Sequence, residues 1–205
     1  AAGEARGTMI LCHGLNRTRI EMLPKAAFAR ELGYNALLFD LRHHGQSGGI
    51  ITTLGFQERL DVLGAVRYVR GEQKAARPVV AWGVSMGAAA SLMAAADSPE
   101  IDAVISDSTF LSLEDTASHH LKLFLPLPAF PIAYEVIHWT AWRGGFRPPD
   151  LDLAKAVDRI GVRPILFVGV EGDRRMPPEI ARALFARSKS PGKQLLILPG
   201  ARHGE

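Results

Sequence analysis

One cysteine, Cys12, stands in the 205 residues. A lone thiol excludes an internal disulfide and any zinc site built from several thiolates. No apolar run reaches the ~20 uninterrupted residues that a membrane span wants. The most apolar stretch, Leu121–Trp142, is broken by Pro126, Pro128 and Pro131 and by Lys122, Glu135 and His138. Charge of one sign is never concentrated: 24 Lys and Arg against 21 Asp and Glu leave a net +3 that is scattered along the chain, a poor basis for nucleic-acid binding. The metal motif His-Glu-x-x-His is missing, as is the phosphate loop Gly-x-x-x-x-Gly-Lys-Ser/Thr. Ala1–Gly7 has neither an initiator Met nor an apolar signal core, so the compartment stays open between cytoplasmic, membrane-tethered and exported.

What is present is ordinary for a soluble domain: 47% hydrophobic and 22% charged residues, enough apolar surface to bury a sizeable core. Short apolar runs alternate with helical spacing, which is the α/β pattern. Strands are expected at Thr8–Cys12, Ala36–Asp40, Val79–Trp82, Ala103–Ser106, Ile165–Val168 and Gln194–Leu198. Their continuous apolar character suits strands buried on both faces of a mostly parallel sheet flanked by helices. Helices are expected at Glu21–Leu32, closed by Gly33; from Phe56 to Val69, stopped by Gly71; at Met86–Ala96, with six alanines; and at Glu179–Arg187. The chain reads as one domain over residues 1–205, with residues 110–158 as an apolar insertion covering one end of the sheet and Arg143–Asp152 as its return.

Chemistry concentrates in Gly83-Val84-Ser85-Met86-Gly87, between a strand and the alanine-rich helix. A serine there must turn sharply and present its hydroxyl, and glycines two positions either side remove the side chains that would collide. Serine is a weak nucleophile without a base. Of the seven histidines, His203 follows the last strand and so stands at the same sheet edge as Ser85. His43, His44, His119, His120 and His138 read as surface or packing residues, and His13 as a turn residue bonding the backbone. Asp173, after Ile165–Val168, is the carboxylate expected to orient His203. Asp107 is its competitor, reading better as a loop-ordering group. The N–H groups of Met86 and Leu15 are the candidate donors to a tetrahedral oxyanion.

The order Ser85, Asp173, His203, with His13-Gly14 after one strand and Asp40-Leu-Arg-His-His-Gly45-Gln-Ser47 after the next, resembles the α/β-hydrolase fold superfamily over nearly the whole chain. Thr53–Asp61 looks most like the small bacterial serine hydrolases of the esterase, acyl-peptidase and thioesterase-like branch. The resemblance implies hydrolysis of a small ester, thioester or amide through an acyl-enzyme, with no cofactor, metal, nucleic-acid partner or membrane span. A non-catalytic hydrolase-fold binding protein, or an acyltransferase or peptidase using the same three residues, are the alternatives. The apolar insertion is expected either to line an acyl pocket or to form a lid, or else simply to pack on the sheet. Asp40, Arg42 and Ser47 are expected to brace a loop, Glu58 and Asp61 to be a solvated helix face or a brace, and Cys12 to be a core residue. Two departures from the family stand out: His43 occupies a usual glycine position, and Gly169 to Asp173 is one residue longer than the common spacing. Members also have a hairpin before the first strand seen here and a helix after the histidine, so the chain reads as trimmed at both ends.

Overall fold

The computed structural model describes residues 5–72, 75, 77–124, 130–200 and 203–204. Among these residues six strands, β1 (Thr8–Cys12), β2 (Asn35–Leu38), β3 (Val79–Val84), β4 (Ala103–Asp107), β5 (Ile165–Val170) and β6 (Gln194–Leu198), form one sheet in the order β2-β1-β3-β4-β5-β6. Every pairing is parallel. Helix α1 (Leu23–Glu31), entered through a 3-10 turn at Arg19–Met22, packs on one face. Helices α2 (Glu58–Gly71), α3 (Met86–Asp97), α6 (Leu153–Ile160) and α7 (Pro178–Arg187) pack on the other. Between β4 and α6 lie α4 (Leu113–Phe124) and α5 (Ile132–Gly144).

The chain runs outward from β1 to β2 and then returns past β1 to β3. That reversal opens a crevice at the carboxyl ends of β1 and β3, the place where open parallel sheets take ligands. Register aligns the ends: Cys12 pairs with Gly83, Val84 with Asp107, and Asp107 with Val168. Thus the turns that follow these strands emerge side by side.

Several expected bounds shift. The helix read from Glu21 begins as a 3-10 turn, with Thr18 Oγ1 accepting from the Ile20 N–H at its start. Strands β3, β4 and β5 each run one or two residues beyond their apolar cores, up to the residues that carry the site. Burial on both faces holds for the inner strands but not for β2 and β6, which are partly exposed as sheet edges. Helix α6 was hidden inside the presumed insertion. Its Leu153, Ala156, Val157 and Ile160 recur at three- and four-residue intervals and are buried against the core, while Asp152 caps its start by accepting from the Lys155 N–H.

Candidate active site

Ser85 sits between Val84, the last residue of β3, and Met86, the first of α3, at φ 53 and ψ −115. A non-glycine residue at positive φ costs on the order of 1–3 kcal/mol and persists only where its surroundings enforce it. Three bonds do so: Ser85 N–H donates to the Asp107 carbonyl at 2.8 Å, and the Ser85 carbonyl accepts from Ala89 N–H at 3.1 Å and Thr109 Oγ1 at 3.2 Å. The flanking glycines are required by contact. A Cβ on Gly83 would lie 2.2 Å from the Gly87 carbonyl group, and one on Gly87 would lie 2.2 Å from the Cys12 carbonyl oxygen. Both neighbours are backbone, which cannot swing aside. Gly87→Ala is therefore expected to destabilise the fold by about 2–3 kcal/mol, the upper range of overpacking, seen as a lowered urea midpoint.

Asp173 follows β5 and is 6% exposed. Its Oδ1 accepts from the N–H groups of Arg175 (2.9 Å) and Met176 (3.0 Å), which turns Oδ2 toward His203 Nδ1 at 2.6 Å. Burial would raise the Asp173 pKa, but the hydrogen bonds from His203 and from Met176 N–H outweigh it and hold the carboxyl below its usual range. The ionised carboxylate accepts a hydrogen bond from His203 Nδ1–H, the tautomer in which Nε2 carries the lone pair. Asp107, the competing acid, has other partners: Ser108 Oγ donates to its Oδ1 at 2.9 Å, and Lys25 Nζ lies 3.8 Å from its Oδ2.

The turn after β1 is held by its own bonds. His13 Nδ1 donates to the Gly14 carbonyl at 2.8 Å and Nε2 accepts from Leu41 N–H at 3.0 Å, so both ring nitrogens are engaged with backbone. Burial pushes its pKa down against the pull of the Gly14 carbonyl, and the ring stays neutral. His44 repeats this pattern between Arg42 O (2.8 Å) and Asn16 N–H (3.2 Å). Glu21 accepts from Gly14 N–H at 2.6 Å, which sets the backbone leading into Leu15. Met86 opens α3, where N–H groups have no intrahelical partner.

Loop residues near the crevice act as braces. Asp40 accepts from Arg19 and Gln46 N–H, Ser47 Oγ donates to the Asp40 carbonyl, and Arg42 makes a forked pair with Asp61. Of the two readings for Glu58 and Asp61, the brace is the one observed. Glu58 is fully buried, accepting from Thr53 N–H, Thr53 Oγ1 and Gly55 N–H, and so holds Leu54 at φ 56 on the cavity wall. His43 takes φ 59, a left-handed backbone conformation that glycine adopts most readily. Cys12 is buried, its thiol pushed up to about 12 by burial, so it is inert at neutral pH.

Ser85, Met86, Leu15 and His203 all line one cavity of about 550 Å³. From the insertion this cavity takes Phe110, Leu113 and Ala117. Trp139 and Trp142 do not join them, standing 60% and 77% exposed on α5. The part of the insertion that lines the cavity is thus Phe110 and the inner side of α4, while α5 turns its tryptophans toward solvent. Two wall residues had no signal in the sequence. His120 on α4 bonds the Arg175 carbonyl at 3.1 Å, and Arg175 itself reaches the cavity; both arrive only through the packing of α4 on the loop after β5. Among the described residues no group of three or more His, Cys, Asp or Glu is placed to hold a metal ion, and no helix is long and apolar enough to cross a membrane.

The family model described as serine aminopeptidase, S33, matches residues 3–135. The uncharacterized protein YqkD of Bacillus subtilis is 28% identical over 205 residues, 99% of this chain and 67% of its own length. Thiohydrolase aneE of Aspergillus aculeatus is 27% identical over 176 residues, 83% of this chain and 54% of its own, so this chain spans between half and about two thirds of these relatives. Among solved structures, the Pyrococcus furiosus esterase Pf2001 superposes with a TM-score of 0.77 at 26% identity, over 97% of this chain and 75% of that one. Est1E of Butyrivibrio proteoclasticus, solved with ferulic acid bound, shares the fold with a TM-score of 0.76 at 22% identity, over 98% of this chain and 83% of that one. With well over half its residues matched by the family model and its fold shared with a solved esterase, the chain belongs to the serine aminopeptidase S33 family of the α/β hydrolases, a family of hydrolases.

Proposed function

We propose that the chain is a serine hydrolase acting on a carboxylic ester, thioester or amide through an acyl-enzyme. The observation that carries this reading is the 2.6 Å Asp173–His203 contact, with His203 and the strained Ser85 on the wall of one cavity. Ser85 Oγ attacks the carbonyl carbon while its proton passes to His203 Nε2. Asp173 fixes the imidazole tautomer and offsets the charge of the imidazolium. The N–H groups of Leu15 and Met86 donate to the oxyanion of the tetrahedral intermediate. Collapse breaks the bond to the leaving group, which takes the proton from His203. Water then repeats the sequence on the acyl-enzyme, delivering its proton to His203 and freeing the acid and Ser85. No cofactor enters any step, because nucleophile, base and oxyanion donors are all protein groups.

The wall formed by Leu54, Phe110, Leu113, Ala117 and Met176 favours an uncharged, apolar acyl group, since apolar surface leaves water there without loss of hydrogen bonds. An esterase and a thiohydrolase among the relatives support ester or thioester hydrolysis, and the aminopeptidase description of the family makes peptide cleavage the second reading. A series of p-nitrophenyl esters from acetate to laurate, run beside aminoacyl p-nitroanilides, tests it. kcat/KM should rise from acetate into the medium chain lengths, by about tenfold for each two methylenes accommodated. Anilides should be turned over at least a hundredfold more slowly. Faster anilide cleavage would make the protein a peptidase, and turnover of no ester, anilide or acylthiocholine thioester would end the hydrolase reading.

A further inference from the structure

Nucleophile and base belong to different strands, and one buried ion pair joins their loops. Lys25, on α1, has a side chain only 11% exposed. Its Nζ donates to the Gly204 carbonyl, next after His203, at 2.9 Å and lies 3.8 Å from Asp107 Oδ2. Asp107 in turn holds the nucleophile, because its carbonyl accepts the Ser85 N–H at 2.8 Å. The indole of Trp82 faces the ammonium at 6.0 Å from the ring centroid. Gly204 is seated closely: its φ is 79, and a Cβ there would lie 2.9 Å from Val84 Cγ1.

We propose that Lys25 is a positioning residue of the hydrolytic reaction, clamping the His203 loop to the strand end that carries Ser85 by way of Asp107. The inference rests on the reading of Ser85 as nucleophile and His203 as base. A buried ion pair is a poor source of stability, since removing two charges from water offsets most of their attraction, and apolar residues of like size would serve the fold equally well. Burial indeed pushes the Asp107 pKa up, against the opposing pull of Lys25 and Ser108. The other titratable groups facing this pair are Glu21 on the 3-10 turn and His203 itself. What an apolar pair could not do is bond the Gly204 carbonyl and so hold the register between the two loops. Displacements of about 1 Å in such a register cost on the order of 100-fold in rate.

The test compares Lys25→Met and Lys25→Arg in the chain as it stands. Thermal unfolding reports the fold, p-nitrophenyl butyrate hydrolysis gives kcat and KM, and the low-field proton resonance of the His203–Asp173 hydrogen bond, identified by its loss in His203→Ala, reports the imidazole's placement. Lys25→Met should lower kcat about 10- to 100-fold with KM within about twofold, and broaden or abolish the resonance. Lys25→Arg, which keeps a cationic donor, should recover kcat to within about fivefold of the parent. A folded Lys25→Met with kcat within twofold and an unchanged resonance would overturn the clamp, as would equal losses in the two variants. Should Lys25→Met not fold, Asp107→Asn takes its place, since it removes the charge partner and leaves the carbonyl on Ser85; the same split is expected. Failure of both to fold would reduce the pair to a structural role and overturn the proposal. The resonance is read without turnover, so loss of the clamp and failure of the hydrolase reading are separate outcomes.

Discussion

Ser85→Ala is expected to lower kcat for p-nitrophenyl butyrate by about 10⁵-fold, with KM and unfolding midpoint close to those of the parent. In the proposed mechanism Ser85 Oγ forms the bond to the acyl carbon, and alanine puts no nucleophile in its place. Alanine keeps the Cβ and hence the same backbone strain at φ 53, and the three bonds that enforce the turn come from backbone atoms and Thr109. Stability and activity therefore separate at this position. What remains in the variant is binding and the oxyanion donors, which alone give a residual rate above water.

Asp173→Asn carries the second large effect, for a reason specific to this geometry. Oδ1 is already committed to two backbone donors, Arg175 and Met176 N–H. An asparagine keeping those bonds must point its NH₂ at His203 Nδ1, where the carboxylate Oδ2 now accepts. Nδ1 then becomes an acceptor, the ring proton moves to Nε2, and the imidazole presents a proton to Ser85 instead of a lone pair. A fall in kcat of about 10³- to 10⁴-fold at neutral pH is expected, with loss of the low-field resonance.

The same carboxylate makes stability pH-dependent. Its folded pKa lies below the ~3.9 of an unfolded aspartate, so its contribution is complete above about pH 4 and is lost as pH falls through the folded value. Urea unfolding should show the parent more stable than Asp173→Asn at pH 7, with the difference shrinking toward pH 3.

Much of the fold was legible because the alternation of apolar runs and helical spacing is a local signal. β1 and β6 have the bounds their apolar runs suggest, Thr8–Cys12 and Gln194–Leu198. The Gly83–Gly87 turn was legible because its glycines answer to contacts that any strand–turn–helix of this kind makes. Helix α6 carries a helical period in Leu153, Ala156, Val157 and Ile160, but it starts directly after the proline- and glycine-rich return and overlaps the expected insertion, so composition marks no boundary for it. The burial of Glu58, an acidic residue at the start of a helix, follows from three donors on the preceding loop, whose approach no spacing encodes.

For the site, strand order put Ser85, Asp173 and His203 at one sheet edge, since each follows a parallel strand. Partner choice was open between Asp173 and Asp107 until the structure set Oδ2 of Asp173 on His203 and Lys25 beside Asp107. Lys25, Glu21, His120 and Arg175 lie on helices or loops whose contacts with the crevice are tertiary. In sequence they are unremarkable ionisable residues, and only packing brings them to the cavity or its supports.

A Ser85 hydroxyl made reactive by His203 and Asp173, as proposed, is open to covalent trapping. The folded protein is treated with a fluorophosphonate, which phosphonylates only an activated serine, and the adduct is mapped by peptide mass spectrometry. A single adduct on the peptide carrying Ser85 is expected, with labelling at least a hundredfold slower in His203→Ala. No adduct, or one that persists in Ser85→Ala, would contradict it.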